Sequence, residues 1–238
     1  MKKRTRILFT GDSITDADRT VLVHGLEEFL AKSVDVAPQQ KEEAINRVLG
    51  TGYPLLIASQ LSREEPGRFE FLNRGVSGNR IVDLDARVKK DCINLRPDVV
   101  SIMIGINDVW HEIMEQNGVD ASKFRRVYEG MLQEITQALP GVKLMLLEPY
   151  VLRGPATMEH WDTFRKETDK RREIVRELAK SYWEKSDLYI PCIDTQKLFD
   201  EAADGGDAQY WSADGVHPTP AGQWLLAQEW LTCFHELL

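Results

Sequence analysis

A serine, a histidine and an aspartate in this chain have the residue types expected of a nucleophile and the base that activates it. Ser13 ends a Gly-Asp-Ser turn after the apolar run 7–9, and Asp214 and His217 lie three positions apart near the other end of the chain. A serine hydroxyl becomes nucleophilic when a base takes its proton, and imidazole titrates near neutrality. A carboxylate beside the imidazole fixes its tautomer and stabilises the imidazolium. These three side chains therefore predict acyl transfer.

Two further stretches carry groups that could stabilise an oxyanion. Gly78 lies in the stretch 74–79, and Asn107 lies in the Gly-Ile-Asn-Asp stretch 105–108. A tetrahedral intermediate needs hydrogen-bond donors that are already in place. We predict that the backbone N–H groups of Ser13 and Gly78 and the Asn107 amide supply them. Each motif alone is more often an ordinary turn, so the interpretation depends on their combination.

The pattern between these motifs predicts an α/β fold that brings them together. Apolar runs typical of buried strands lie at residues 7–9, 69–72, 98–104, 142–147 and 188–190. Helical spacing predicts helices at residues 53–61, 81–95, 124–139 and 161–182, followed by a C-terminal helix on residues 224–234. This alternation predicts a parallel sheet between two helical layers. Right-handed crossovers would then bring the strand ends that carry Ser13, Gly78 and Asn107 to the same edge.

The segment from Asp16 to Leu49 has the least regular pattern. It predicts two short helices around Pro38, the first ending near Asp35 and the second covering residues 39–49. We predict one domain over residues 1–238, in which residues of about 16–50 form an inserted segment. A lid, an oligomer contact and a passive surface excursion are all open interpretations, since long insertions beside a site are often functional.

Composition excludes several classes of function. The 238 residues carry a formal net charge of −8, which argues against nucleic-acid binding. No stretch is long enough to span a bilayer, and the start of the chain lacks a secretory pattern, so a cytoplasmic location is expected. The three cysteines and the five histidines form no metal-ligand spacing, which predicts free thiols, no metal and no cofactor.

The four stretches around Ser13, Gly78, Asn107 and His217 resemble the four conserved blocks of the SGNH hydrolases, also called GDSL esterases and lipases, in the family's order. The resemblance implies a three-layer α/β/α sandwich with a flavodoxin-like, five-stranded parallel sheet. It implies Ser13 as nucleophile and oxyanion donor, Gly78 and Asn107 as oxyanion donors, and His217 as the base paired with Asp214. The stretches 52–53, 73–79 and 101–110 look most like the bacterial branch that contains acetylxylan esterases and related carbohydrate deacetylases.

The expected reaction is a double displacement without a cofactor. Ser13 would form an acyl-enzyme, and water activated by His217 would hydrolyse it. Because no strongly apolar lid is evident, we expect a short acyl group, acetyl, on a carbohydrate alcohol. A lysophospholipase or thioesterase activity and a non-catalytic carbohydrate-binding protein are the alternatives. The segment 16–49 is longer and less glycine-rich than the resemblance implies, which leaves the pockets open.

Four residues beside the motifs are candidates for substrate binding. Asp12 and Asn79 adjoin the predicted oxyanion donors, while Trp110 and Trp211 lie close to Asn107 and Asp214 in sequence. Tryptophan faces suit a sugar ring, although packing in the core explains each tryptophan equally well. The expected partner is a small-molecule or oligosaccharide ester, with no nucleic acid and no membrane. Self-association into a homo-oligomer is a further possibility.

Overall fold

A parallel sheet of five strands lies at the centre of the structure. The computed structural model describes residues 4–32, 36–186 and 188–237. The strands are β1 (Thr5–Gly11), β2 (Phe69–Gly75), β3 (Val99–Met103), β4 (Lys143–Leu147) and β5 (Cys192–Ile193). They lie in the order β2-β1-β3-β4-β5, and every neighbouring pair is parallel. The predicted α/β class and its flavodoxin-like sheet are confirmed.

Helices cover both faces of this sheet. They are α1 (Ser13–Asp16), α2 (Arg19–Ala31), α3 (Pro38–Asn46), α4 (Tyr53–Glu64), α5 (Ile81–Asp91), α6 (Ile106–Glu115), α7 (Ala121–Ala138), α8 (Trp161–Ser186), α9 (Thr195–Ala203), α10 (Ala208–Trp211) and α11 (Pro220–Leu237). A 3₁₀ turn at Ile93–Leu95 follows α5. None of the helices in the described ranges is long and apolar enough to cross a membrane.

The alternation of side chains along the strands divides the core into two halves. Phe9 belongs to the apolar cluster that β1 shares with α4 and α11, whereas Leu8 belongs to the cluster shared with α5 and α7. All five residues of β3 are buried, as expected for a strand with helices on both faces. Two helical layers with the sheet between them form the predicted α/β/α sandwich.

The last strand lies further along the chain than the sequence pattern indicates. Residues 188–190 are not a strand. Instead, Cys192 and Ile193 pair with β4, and the carbonyl of Pro191 accepts a hydrogen bond from the Leu146 N–H at 2.9 Å. Ile190 is buried in the α5/α7 side of the core. The run 188–190 therefore contributes Ile190 to the core without pairing in the sheet, and Tyr189 is 50% exposed.

The segment 16–50 contains the two helices α2 and α3, and α3 ends earlier than predicted. Helix α2 ends at Ala31, and the predicted end near Asp35 lies outside the described residues. Helix α3 ends at Asn46 because the chain then turns towards the sheet, where the buried side-chain amide of Asn73 donates to the Leu49 carbonyl at 2.8 Å. Only Leu30 is buried on α2 and no residue is buried on α3. Both helices therefore lie on the surface.

Candidate active site

Ser13 lies at the carboxyl edge of the sheet, two residues beyond the end of β1. This edge, between β1 and β3, is where the strand order reverses and where open α/β sheets bind their ligands. A side chain at Gly11 would place its Cβ 2.1 Å from the carbonyl oxygen of Met103, so only glycine lets the strands approach this closely. Asp12 caps the short helix α1 by accepting from the Ile14 N–H at 3.0 Å. The turn presents the Ser13 hydroxyl at the end of a rigid strand.

His217 lies against Ser13 and Asp214 in the arrangement of a proton relay. Its Nε2 is 2.9 Å from Ser13 Oγ, and its Nδ1 is 2.7 Å from Asp214 Oδ2. The other carboxylate oxygen, Oδ1, accepts the backbone N–H groups of Val216 and His217 at 2.9 and 2.8 Å. Since the carboxylate only accepts, Nδ1 carries the proton and Nε2 presents its lone pair to the serine.

The two members of this pair stabilise each other's charged forms. Burial works to raise the pKa of Asp214, but the hydrogen bonds from His217 and Val216 outweigh it and hold the pKa at about 2. The hydrogen bond to Asp214 in turn raises the pKa of His217 above its ordinary value, against the effect of partial burial. The histidine can therefore accept a proton readily and the aspartate stays ionised.

Gly78 and Asn107 lie close together near this edge. Gly78 has φ +79° in a turn in which the Asn79 N–H donates to the Val76 carbonyl at 3.2 Å, a conformation that glycine adopts without strain. Asn107, in the first turn of α6, is buried and donates from Nδ2 to the Asn79 carbonyl at 3.2 Å. An amide nitrogen has two hydrogens, so one N–H of Asn107 holds the turn and the other remains for a ligand.

The side chains of Asn79 and Asp12 bond to residues that position the site. The Asn79 side-chain oxygen accepts from Arg87 Nε at 2.6 Å, and the same guanidinium donates to the Gly11 carbonyl at 3.0 Å. Asp12 is buried beneath Ser13, and this burial raises its pKa to about 7 although the Ile14 N–H and His217 favour the ionised form. The structure places both side chains in supporting contacts and not in the pocket.

The two candidate tryptophans have different surroundings. The Trp110 ring lies with its centroid 6.0 Å from the His217 ring and packs edge-on against Phe164 at 6.0 Å. The Trp211 ring packs against Tyr210 and the apolar core, and its carbonyl accepts from the Thr219 N–H at 3.0 Å. Trp110 therefore touches the catalytic edge, whereas Trp211 supports the loop that carries Asp214.

Comparison with known proteins identifies the family. The model of the GDSL-like Lipase/Acylhydrolase family matches residues 9–225. The chain belongs to this family. It is 30% identical over 231 residues to an acetylxylan esterase of Geobacillus stearothermophilus, a match that covers 95% of this chain and 92% of the relative. This GDSL-like acylhydrolase is accordingly a carboxylic ester hydrolase.

Solved structures of GDSL-like proteins have the same fold. A Parabacteroides merdae protein assigned as a GDSL-like lipase superposes with a TM-score of 0.79 at 30% identity, over 98% of this chain and 96% of its own. The G. stearothermophilus acetylxylan esterase Axe2 superposes with a TM-score of 0.75 at 29% identity, over 98% and 95%. Its solved catalytic mutants replace a serine, an aspartate and a histidine by alanine, and the last two lie three positions apart.

A pocket opens beside Ser13 on the side of His217. We define the Ser13 pocket by its lining residues, which are 13–14, 16–18, 51, 77, 217–218, 220 and 223. Sequence reasoning missed Asp18, Thr51 and Gln223 as parts of this site, because they come from three separate regions of the acylhydrolase chain. The proximity of Asp18 to Ser13 in sequence was the one available signal. Part of the pocket wall thus comes from residues 16–18, at the start of the segment 16–50, and from Thr51, which directly follows its end.

Helix α6 and Asp108 were also missed. The apolar spacing of Ile106, Val109 and Ile113 could have predicted the helix. Both oxygens of the fully buried Asp108 accept from the Ile81 N–H at 3.1 Å, which ties α6 to the start of α5. Burial raises the pKa of Asp108 to about 8 and so disfavours the ionised form of this carboxyl next to Asn107.

No group of three or more His, Cys, Asp or Glu side chains among residues 4–32, 36–186 and 188–237 could hold a metal ion. The three thiols, Cys92, Cys192 and Cys233, are free.

Proposed function

We propose that this chain hydrolyses short-chain esters of carbohydrates, acetyl esters in particular, through an acyl-enzyme on Ser13. The proposal rests on two consecutive hydrogen bonds. Ser13 Oγ lies 2.9 Å from His217 Nε2, and His217 Nδ1 lies 2.7 Å from Asp214 Oδ2. Its chemistry requires no group other than the ester and water.

In the first half of the reaction the ester is cleaved and the acyl group passes to the enzyme. Ser13 Oγ attacks the acyl carbon while its proton moves to His217 Nε2. The negative charge that develops on the carbonyl oxygen is met by the N–H groups of Ser13, Gly78 and Asn107. Each donor of this kind typically lowers the barrier by about 3 kcal/mol. The imidazolium then protonates the departing alcohol, and the bond between that oxygen and the acyl carbon breaks.

In the second half water regenerates the serine. His217 takes a proton from a water molecule, whose oxygen attacks the acyl carbon of the Ser13 ester. Collapse of the second tetrahedral intermediate returns the proton to Ser13 Oγ and releases the carboxylic acid. Asp214 stays ionised throughout, since its pKa of about 2 lies far below the working range of His217.

Polarity around Ser13 supports a carbohydrate ester. The Ser13 pocket contains the polar residues Asp18, Thr51 and Gln223, and its apolar part consists of Ile14, Ala17, Pro218 and Pro220. A long acyl chain would need a continuous apolar groove. The match with the acetylxylan esterase of Geobacillus stearothermophilus covers 92% of that protein. This similarity favours the same substrate class.

An acyl-length series tests the proposal. We expect hydrolysis of p-nitrophenyl esters to be fastest for acetate and to fall towards octanoate, with acetate also released from acetylated xylo-oligosaccharides. Ser13→Ala should reduce both activities by about 10⁴-fold or more. The control for folding is the thermal unfolding temperature of Ser13→Ala.

Three outcomes would contradict the proposal. Full activity of Ser13→Ala would contradict the role of the nucleophile. A rate that rises with acyl length would favour a lysophospholipase or thioesterase. Sugar binding without hydrolysis of any ester would indicate a non-catalytic carbohydrate-binding protein.

A further inference from the structure

Asp18 occupies an unusual position in the wall of the Ser13 pocket. It links α1 to α2, lies five positions after Ser13, and lines the same pocket as His217. Its side chain is exposed, and it forms no ion pair with another described residue. Within residues 4–32, 36–186 and 188–237, its carboxylate accepts one hydrogen bond, from Thr51 Oγ1 to Oδ2 at 3.4 Å. The other oxygen, Oδ1, is free to accept from a ligand.

Asp18 stands at a helix N-cap but does not cap the helix. An aspartate at this position usually accepts from the backbone N–H of the second or third helical residue. Asp18 has φ +64° and its carboxylate makes no such bond. Four other N-cap aspartates of the described chain do accept backbone N–H groups; they are Asp12, Asp120, Asp194 and Asp207. The usual structural reason for an aspartate at the start of a helix is therefore absent at Asp18.

The backbone of Asp18 is held in this orientation by contacts with a distant loop. The Thr51 N–H donates to the Ala17 carbonyl at 2.8 Å, and the preceding residue, Ala17, has φ +41°. A non-glycine residue with positive φ is uncommon, and two in succession persist only where the surroundings enforce them. The backbone of Asp18 is accordingly fixed in the wall of the pocket, next to Thr51.

The position of His217, which must protonate the departing alcohol, indicates which part of the substrate lies near Asp18. His217 Nε2 must protonate the departing alcohol, so that alcohol lies on the His217 side of Ser13. The Ser13 pocket is on this side, since Pro218 and Pro220 adjoin His217 in its wall. The acyl oxygen lies towards Gly78 and Asn107. The Ser13 pocket extends from Ser77, next to Gly78, to His217, and we place the departing alcohol in the part beside His217.

We propose that Asp18, in the wall of the Ser13 pocket, determines specificity by accepting hydrogen bonds from hydroxyl groups of the sugar alcohol through its carboxylate. This inference rests on the proposed function. A carboxylate accepts from hydroxyl groups in charge-assisted hydrogen bonds, which are stronger than bonds between neutral groups. A leaving group with no hydroxyl group besides the esterified one, such as p-nitrophenol, gains nothing from Asp18.

The test compares two substrates that share an acetyl group. We expect Asp18→Gly to lower the ratio of kcat/KM for acetylated xylobiose to kcat/KM for p-nitrophenyl acetate by about tenfold or more, mainly through the KM for the sugar ester. Glycine suits the positive φ, so the fold is retained. Asp18→Asn should produce a smaller fall, because its amide oxygen still accepts. The matched control is Asp120→Gly, which removes an N-cap aspartate outside the pocket and should keep the wild-type ratio.

Inhibition by free xylobiose separates the two proposals. We expect xylobiose to inhibit hydrolysis of p-nitrophenyl acetate competitively, with an inhibition constant that is about tenfold higher for Asp18→Gly than for the wild type. A substrate ratio for Asp18→Gly within about twofold of the wild type, or an equal inhibition constant, would overturn the role of Asp18. If the wild type cleaves p-nitrophenyl acetate but releases no acetate from sugars, the proposed function fails, and the inhibition constants alone decide whether Asp18 binds hydroxyl groups.

Discussion

Two regions of the active edge are built in different ways. In the loop of residues 212–219, the Asp214 carboxylate bonds to Val216 and His217, two and three positions away. In the segment 16–50, the contacts come from far along the chain, since the Asn73 amide bonds to the Leu49 carbonyl 24 positions away. The groups assigned to the chemistry are thus oriented locally. The wall of the pocket depends on long-range contacts, so the two regions should respond differently to substitution.

The largest effect is expected from Asp214→Asn, which breaks the local network. We expect kcat/KM for p-nitrophenyl acetate to fall about 10⁴-fold, since an amide hydrogen facing Nδ1 would favour the wrong tautomer. The wild type needs neutral His217, whose pKa is raised above 6.5 by Asp214, so its activity falls as the pH drops through that raised value. Without the carboxylate the pKa of His217 falls, and the acid limb of the residual activity moves to lower pH.

The pH dependence of kcat/KM between acid and neutral pH measures this prediction. A wild-type profile that is flat over that range would contradict the role of His217 as the base. Retention of kcat/KM within about tenfold in Asp214→Asn would show that Asp214 does not orient the histidine.

The next largest effect is expected from Asn73→Ala, which breaks the long-range contacts. This fully buried side chain donates to the Thr15 and Leu49 carbonyls and accepts from the Gly75 N–H. Its loss leaves buried polar groups without partners and should lower the free energy of unfolding by about 3 kcal/mol, measured by urea denaturation.

The matched control is Asn117→Ala. The exposed Asn117 accepts from Arg80 at 2.8 Å, and its replacement should cost less than about 1 kcal/mol. Equal losses for the two variants would contradict the structural role of Asn73.

A smaller change in the free energy of unfolding should distinguish an N-cap aspartate that caps its helix, Asp120, from one that does not, Asp18. Asp120→Ala removes a carboxylate that accepts from the Ser122 and Lys123 N–H groups, and should lower the free energy of unfolding by about 1 kcal/mol. Asp18→Gly removes no cap bond and relieves a positive φ, so the change should stay below about 0.5 kcal/mol. Urea denaturation measures both. A larger loss in Asp18→Gly would mean that Asp18 stabilises the fold.

The smallest effect is expected on the outer face of α2. Val21 is 70% exposed, so Val21→Ser should change the free energy of unfolding by less than about 0.5 kcal/mol and leave hydrolysis of p-nitrophenyl acetate unchanged. Analytical ultracentrifugation of both proteins should give the same mass. A change in assembly would instead show that a second copy of the chain covers α2, which is the oligomer contact considered for this segment.

Sequence patterns predicted the sheet well where burial is continuous. The β-branched and apolar run of β3 could only be a strand between two helical layers, and its five residues are all buried. The same reasoning failed at residues 188–190, because an apolar residue that packs in the core outside the sheet, as Ile190 does, has the same type of side chain as one in a buried strand. Pairing with β4 at Cys192 and Ile193 depends on a partner more than 40 residues away.

By itself, the sequence determined which residue types were available for acyl transfer, their order, and the parallel sheet that brings strand ends to one edge. Asp214 and His217 could be recognised because a carboxylate and an imidazole three positions apart can meet within one loop. Only the tertiary structure decided which side chains enclose the substrate. The orientation of Asp18 depends on a left-handed backbone held by Thr51, and no local propensity encodes such a contact between segments 33 positions apart.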